Sequence, residues 1–214
     1  MSEELFNMPV IAIKGLTMLP GMLIHFDIHT ESSVKAISAA MEENRQVFVV
    51  TQRDASVEHP AKEDLFSMGT ISQIKQMIKM PGNLVRVLAM GVRRGRLEEI
   101  TSTEPYPLAD IVLPEEVNAE DLPASEQRAM LRAMKDILEV YVRANDKLGK
   151  DIVKQLMAVD SVDALINQVA VSVPMTITSK QKILEATHIM DRFEAIAVIL
   201  TSEVEILRIK KELQ

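Results

Sequence analysis

Six of the seven glycines lie before residue 96, and the seventh is Gly149. Four of the nine prolines crowd between Pro105 and Pro123. Glycine supplies the backbone freedom of tight turns and weakens helices, so a chain with this distribution changes architecture near residue 104. Before that point, short alternating runs bounded by turn residues predict strands at Val10–Ile13, Gln46–Thr51, Gly69–Met80, Leu84–Met90, Val92–Ile100 and Leu108–Leu113. The P-G-N between Met80 and Leu84 reads as a hairpin turn. One helix is expected among these strands, from about Ser32 to Glu43, with Val34, Ile37, Ala40 and Met41 on one face.

Beyond residue 124 the period becomes helical. Met130, Leu131, Met134, Ile137, Leu138, Tyr141 and Val142 form a broad stripe within Ala124–Lys147. Two shorter helices are expected over Asp151–Val159 and Ser161–Val173, the second capped by Asp160 or Ser161. Thr178-x-x-Gln181 reads as a capping box for a helix through Ala186. A last helix over Phe193–Leu213 has no glycine or proline stop, which suggests that the end of the chain cuts it. The pattern predicts an α+β protein: a β-rich domain over 1–113, an acidic, proline-rich crossing over 114–126 and a helical domain over 127–214.

Charge narrows the function. The net charge is −7. Residues 1–103 carry 11 basic and 12 acidic groups, residues 127–214 carry 13 and 12, and residues 104–126 carry seven acids and no base. The deficit lies in one short segment, expected to be exposed and flexible. Arg93, Arg94 and Arg96 form a cluster, but Glu98 and Glu99 follow at once, and neither half has the basic excess that phosphate binding requires. The cluster reads as a solvated strand face. With five Phe, two Tyr and no Trp, stacking platforms for single strands are also scarce, so nucleic acid is not the expected partner. No apolar run reaches membrane-spanning length, and the start M-S-E-E-L-F-N is unlike a signal peptide. Together with the absence of cysteine, this favours the cytoplasm and excludes disulfides and thiol catalysis.

No phosphate-cradling loop, H-E-x-x-H, G-x-S-x-G or G-x-G-x-x-G is present. His25 and His29 stand four apart in a strand-like segment, a poor zinc spacing. No catalytic residue, metal site or cofactor is therefore assigned to this chain. Methionine is abundant, at 14 residues. Most fill cores, but Met18 and Met22 flank Leu19-Pro20-Gly21, and Met77 and Met80 lead into Pro81-Gly82. Flexible thioethers beside turns suit a surface that accepts varied apolar partners. The candidate binding patch is Met18, Leu19, Pro20 and Met22 beside Met77, Ile78, Met80 and Pro81.

Several short motifs recur in a fixed order. They are V-I-A-I-K-G-L-T-M-L-P-G (Val10–Gly21), Ala39-Ala40-Met41, V-T-Q-R-D-A-S-V-E-H-P (Val50–Pro60), D-L-F-S-M-G-T (Asp64–Thr70), Gly91 with Arg94, and K-Q-K-I-L-E (Lys180–Glu185). In this order they resemble the N-terminal domain of the Lon family of ATP-dependent proteases over nearly the whole chain. Ala12, Lys14 and Leu19 depart from the family's proline, arginine and phenylalanine. His29–Ser33 replaces a G-R-x-x-S loop, so no role for that arginine carries over.

The resemblance implies a PUA-like β-barrel followed by a helical bundle ending in a long truncated helix, and makes Arg94 a position of the fold. It also implies a substrate-recognition module that binds exposed hydrophobic segments of unfolded or damaged polypeptides. The parent would be a homo-oligomer, a hexamer, whose downstream modules use ATP and magnesium and carry a Ser-Lys peptidase site. A stand-alone PUA-like binding protein, for RNA or polypeptide, is the alternative, so fragment and short homologue both stay open.

Overall fold

A computed structural model describes residues 4–214, which form two compact units, the first ending at Pro114 and the second running Glu115–Gln214. The first holds β1 (Leu5–Ile13), β2 (Leu23–Ile28), α1 (Glu31–Glu42), β3 (Gln46–Thr51), β4 (Met68–Met80), β5 (Leu84–Ser102) and β6 (Leu108–Val112). Strand order is β2-β5-β4-β3-β1-β6, and β6 pairs back onto β5. The last pairing closes β5, β4, β3, β1 and β6 into a ring, which removes their sheet edges. The β1–β3 pairing is parallel; all the others are antiparallel. Met8, Val10, Phe48, Val50, Ile71, Leu97 and Ile111 pack together inside.

The two runs expected on either side of Gly91 form one 19-residue strand, β5. It changes partners along its length. Residues 85–90 pair with β2, while Arg96–Ser102 pair with β6. Register shifts at Ile71/Ser72 and Ile74/Gln76 bend β4 beside it. The hairpin turn holds Gly82 at φ 81° and Asn83 at φ 60°, the left-handed region that these two residue types tolerate best. Strand β2 is absent from the expected set, because its buried positions read only as Phe26 and Ile28 in six residues.

The arginine cluster divides by burial. Arg93 is exposed and Arg96 half-buried, but Arg94 is only 5% exposed and engaged within the fold. The expectation of a solvated face is thereby corrected for Arg94, which is buried.

The second unit contains α2 (Ala124–Ala144), α3 (Lys150–Met157), α4 (Val162–Ser172), α5 (Ile177–Glu185) and α6 (Ile189–Glu212). Met134, Leu138, Leu165, Ile166, Ile183, Ile196 and Leu200 are fully buried. The cap of α5 is Thr176, whose hydroxyl accepts from the Ser179 amide, two residues before the expected Thr178. His188 begins α6 earlier than the apolar stripe suggested, its Nδ1 accepting from the Met190 amide at 3.1 Å.

The segment expected as a flexible crossing is tied down. Leu108–Val112 is β6, and residues 115–121 belong to the helical unit. There Val117 accepts from the Ile189 amide and donates to Thr187, while the Ala119 amide donates to Asp163. Arg192, 3% exposed, anchors this segment. It donates to Asn118 at 2.6 Å and Ala186 at 2.8 Å, and pairs with Asp163 at 3.4 Å and Glu116 at 4.0 Å. Acidic residues here answer a buried cation rather than one another.

Two outcomes are expected. Removing one side of a buried ion pair strands the other, so Arg192→Met should destabilise the helical unit by about 3 kcal/mol and expose residues 115–121 to proteolysis, read by calorimetry and limited digestion. A β-carbon on Gly91 would collide with the Leu19 carbonyl. Gly91→Ala should therefore cost about 2 kcal/mol, the range for overpacking, measured by urea unfolding.

Candidate functional site

The expected patch separates into two groups. Met18, Leu19 and Met22 are buried, at 2%, 0% and 5% exposure. The Thr70 hydroxyl donates to the Met18 carbonyl at 2.7 Å, and the Leu19 amide points at the Met22 sulfur at 3.2 Å. Gly21 and Gly91 clamp the same loop, the Gly21 amide donating to Gly91 and the Gly91 amide to Met22. A turn fastened at this many backbone points packs its side chains inward. Proximity to turn residues, the signal used to expect exposure, fails here, and these three residues are corrected to core. Pro20 beside them is half-buried.

The second group stands on a three-stranded extension of the sheet, made of β2, residues 84–90 of β5 and the distal part of β4. Cross-strand partners share a face. Met80 opposes Leu84, Ile78 opposes Arg86 and Gln76 opposes Leu88. On the other flank Asp27 opposes Arg86, His25 opposes Leu88 and Leu23 opposes Met90. One face therefore collects Leu23, Met90, Leu88, Leu84, Ile78 and Met80. Leu23 is 53% and Ile78 42% exposed, and the other four are half-buried. Met77 opposes Val87 and lies on the opposite, inner face with Phe26 and Val85. Alternation thus separates it from Ile78 and Met80, while Pro81 is exposed at the turn. Leu23, Leu84, Leu88 and Met90 were missed, because only the pairing of three strands brings them beside Ile78.

An ion pair crosses the middle of this face. The Arg86 guanidinium donates to both carboxylate oxygens of Asp27, at 2.9 and 3.2 Å. That hydrogen bond, with the neighbouring charges of Arg86 and His25, holds the Asp27 carboxyl below the usual aspartate range. The pair neutralises the one carboxylate of the face and leaves it apolar with a polar clasp. No group of three or more His, Asp or Glu able to hold a metal occurs among the described residues.

A closed β-ring with a three-stranded extension, followed by a separate helical unit, defines a two-unit α+β protein. The family model of the ATP-dependent protease La (LON) substrate-binding domain matches residues 7–202, and the chain belongs to this family. The Lon protease of Lachnoclostridium phytofermentans is 43% identical over the whole chain, which covers 26% of that protein. The Lon protease of Clostridioides difficile is 36% identical over 97% of the chain and 27% of its own length. The chain thus spans about a quarter of the length of the curated relatives it matches. Among solved structures, the N-terminal domain of Mycobacterium avium complex Lon protease superposes with a TM-score of 0.69 at 19% identity, covering 92% of this chain and 98% of that one. The Lon N-terminal domain protein from Xanthomonas campestris gives 0.64 at 12% identity, over 90% and 98%.

Two measurements check the site geometry. Met22→Asp places a charge in the core and should unfold the first unit, whereas Met80→Asp on the outer face should leave the melting temperature within a few degrees. Asp27 is more acidic folded than unfolded, so its pairing stabilises above the unfolded carboxylate pKa and is lost as pH falls through its depressed folded value. The stability gap between parent and Asp27→Asn should be small, present at pH 7, and vanish in strong acid.

Proposed function

We propose that this domain is the substrate-recognition module of a Lon-like ATP-dependent serine protease, and that it captures exposed apolar segments of unfolded or damaged polypeptides. The observation that carries this reading is the single outward face bearing Leu23, Met90, Leu88, Leu84, Ile78 and Met80. Contiguous apolar surface on a folded domain marks an interaction site, and Met and Leu side chains repack around many sequences. Met80, Ile78 and Pro81 of the expected patch remain in the proposed surface; Met18, Leu19 and Met22 are core residues outside it.

In this reading the parent is a homo-hexamer of the cytoplasm. Downstream modules supply the ATPase ring, with ATP and magnesium, and a Ser-Lys peptidase site. Among the described residues no helix is long and apolar enough to cross a membrane. The alternative of a stand-alone PUA-like RNA-binding protein is weakened by Arg94, which is buried rather than offered to a phosphate.

Affinity is expected on the order of micromolar or poorer, because an unfolded segment loses entropy on docking. Leu23→Asp combined with Ile78→Asp should abolish capture of a chemically denatured model protein and leave the melting temperature nearly unchanged. Undiminished capture by the folded double variant would remove this face from consideration and direct attention to the exposed Val198, Ile206 and Ile209 of α6.

A further inference from the structure

The ring of strands has no edges, but the extension beyond it has two. β2 pairs with β5 on one side and, among the described residues, with no strand on the other. β4 pairs with β3 only as far as Gln73, and the Ile74 amide donates to Arg45, so its distal part, residues 75–80, has no strand partner among the described residues on the side away from β5. The two open edges are built differently. The β4 edge carries exposed Lys75 and Lys79 and a register shift at Ile74/Gln76, the devices by which sheet proteins block pairing with other chains. The β2 edge carries no lysine, no proline and no register shift over Leu23–Ile28.

The unguarded edge also presents its backbone in a defined way. The Gly91 amide donates to the Met22 carbonyl at 2.8 Å, so Met22 and Gly91 form a hydrogen-bonded pair. The antiparallel ladder alternates, which directs the backbone groups of Ile24, Phe26 and Ile28 at β5 and those of Leu23, His25 and Asp27 outward. The same three residues have exposed side chains on the apolar face. Backbone donors, backbone acceptors and the proposed apolar surface therefore meet along one line.

We propose that β2 is a strand-addition site, at which an extended polypeptide segment pairs antiparallel with Leu23, His25 and Asp27 and lays alternate apolar side chains onto the face of Leu23 and Met90. This rests on the substrate-recognition reading above and specifies its chemistry: the segment is recognised through its main chain, with side-chain selection limited to every second residue. A second copy of this chain is a poor occupant. A symmetric antiparallel pairing centred on His25 sets His25 against His25 and Leu23 against Asp27, an apolar–carboxylate mismatch. An edge of six residues, about 20 Å long and about 10 Å thick, presents roughly 200 Å² per copy, well short of the roughly 1,000 Å² that a stable interface buries. An unfolded segment needs neither symmetry nor a large area.

The geometry fixes which side of the incoming strand faces β2. In an antiparallel pairing, a residue hydrogen-bonded opposite Leu23, His25 or Asp27 must place its side chain on the same face as theirs. In a soluble peptide of about ten alternating valines and threonines, valines seated on the apolar face have their own amides directed at β2. The test measures binding of three forms of this peptide to the full chain by fluorescence anisotropy: unmodified, N-methylated on every valine, and N-methylated on every threonine. N-methylation at valine should weaken binding by about tenfold or more, as expected for losing backbone hydrogen bonds, and N-methylation at threonine should leave it within about twofold.

Equal binding of all three forms, or loss only on threonine methylation, overturns antiparallel strand addition at β2 while leaving an apolar binding face intact. No binding of the unmodified peptide overturns the recognition reading together with this one. His25→Pro gives a second readout. Its amide points outward, so proline removes a donor from the free edge without breaking the β2–β5 ladder. It should reproduce the loss with the melting temperature within a few degrees. Should the variant unfold, the methylated peptides still decide the matter on the unmodified chain. A concentration-dependent dimer that His25→Pro abolishes, with no peptide binding, would assign the edge to a second copy and overturn the proposal.

Discussion

The first unit depends on the absence of a side chain at Gly91. The Leu19 carbonyl occupies the space that a β-carbon would take there, and the Gly21 and Gly91 amides tie the loop before β2 to β5. At this point β5 stops pairing with β2 and continues toward β6, the strand that closes the ring. A side chain would push the loop away, release Met18, Leu19 and Met22 from the core, and detach β2 from its register. Closure of the ring and placement of the extension both pass through this contact.

The extension is the consequence that matters for binding. Within the ring each strand has two neighbours, so its main chain is satisfied and has nothing to offer a partner. Beyond Gly91 the strands outrun their neighbours, and three of them form a small sheet with one buried and one open face. Burial of Phe26, Ile28, Val85 and Val87 on the inner side fixes the strands and so displays Leu23 and Ile78 on the outer side. The Arg86–Asp27 pair adds little energy at such an exposed position, but it neutralises a carboxylate in the middle of an apolar surface.

The helical unit is organised differently. Its apolar core is ordinary, but its N-terminal segment is held by one buried guanidinium. Arg192 meets Glu116, Asn118 and Asp163 and the carbonyl of Ala186. A buried cation without such partners would carry a severe desolvation cost. The acidic excess before α2 is thus used in part as a set of ligands. Composition cannot distinguish this from a solvated linker, since both are written with the same residues.

Local rules were enough to place most elements. Turn chemistry located the P-G-N hairpin, period-two runs located β3, β4 and β6, and the helical stripe of Met130, Met134, Leu138 and Tyr141 located α2, because these signals arise from backbone sterics and from one residue's relation to its near neighbours. The order of short motifs likewise carried the family. What required the tertiary structure was every property that depends on residues distant in sequence. These include the burial of Met18, Leu19 and Met22 beside Thr70 and Gly91, the burial of Arg94, the separation of Met77 from Ile78, and the meeting of Leu23 with Met90. A methionine beside a turn reads the same whether the loop is free or fastened to a strand fifty or more residues away. Only the closed hydrogen-bond pattern of the sheet decides which of its faces, and which of its edges, is left to solvent.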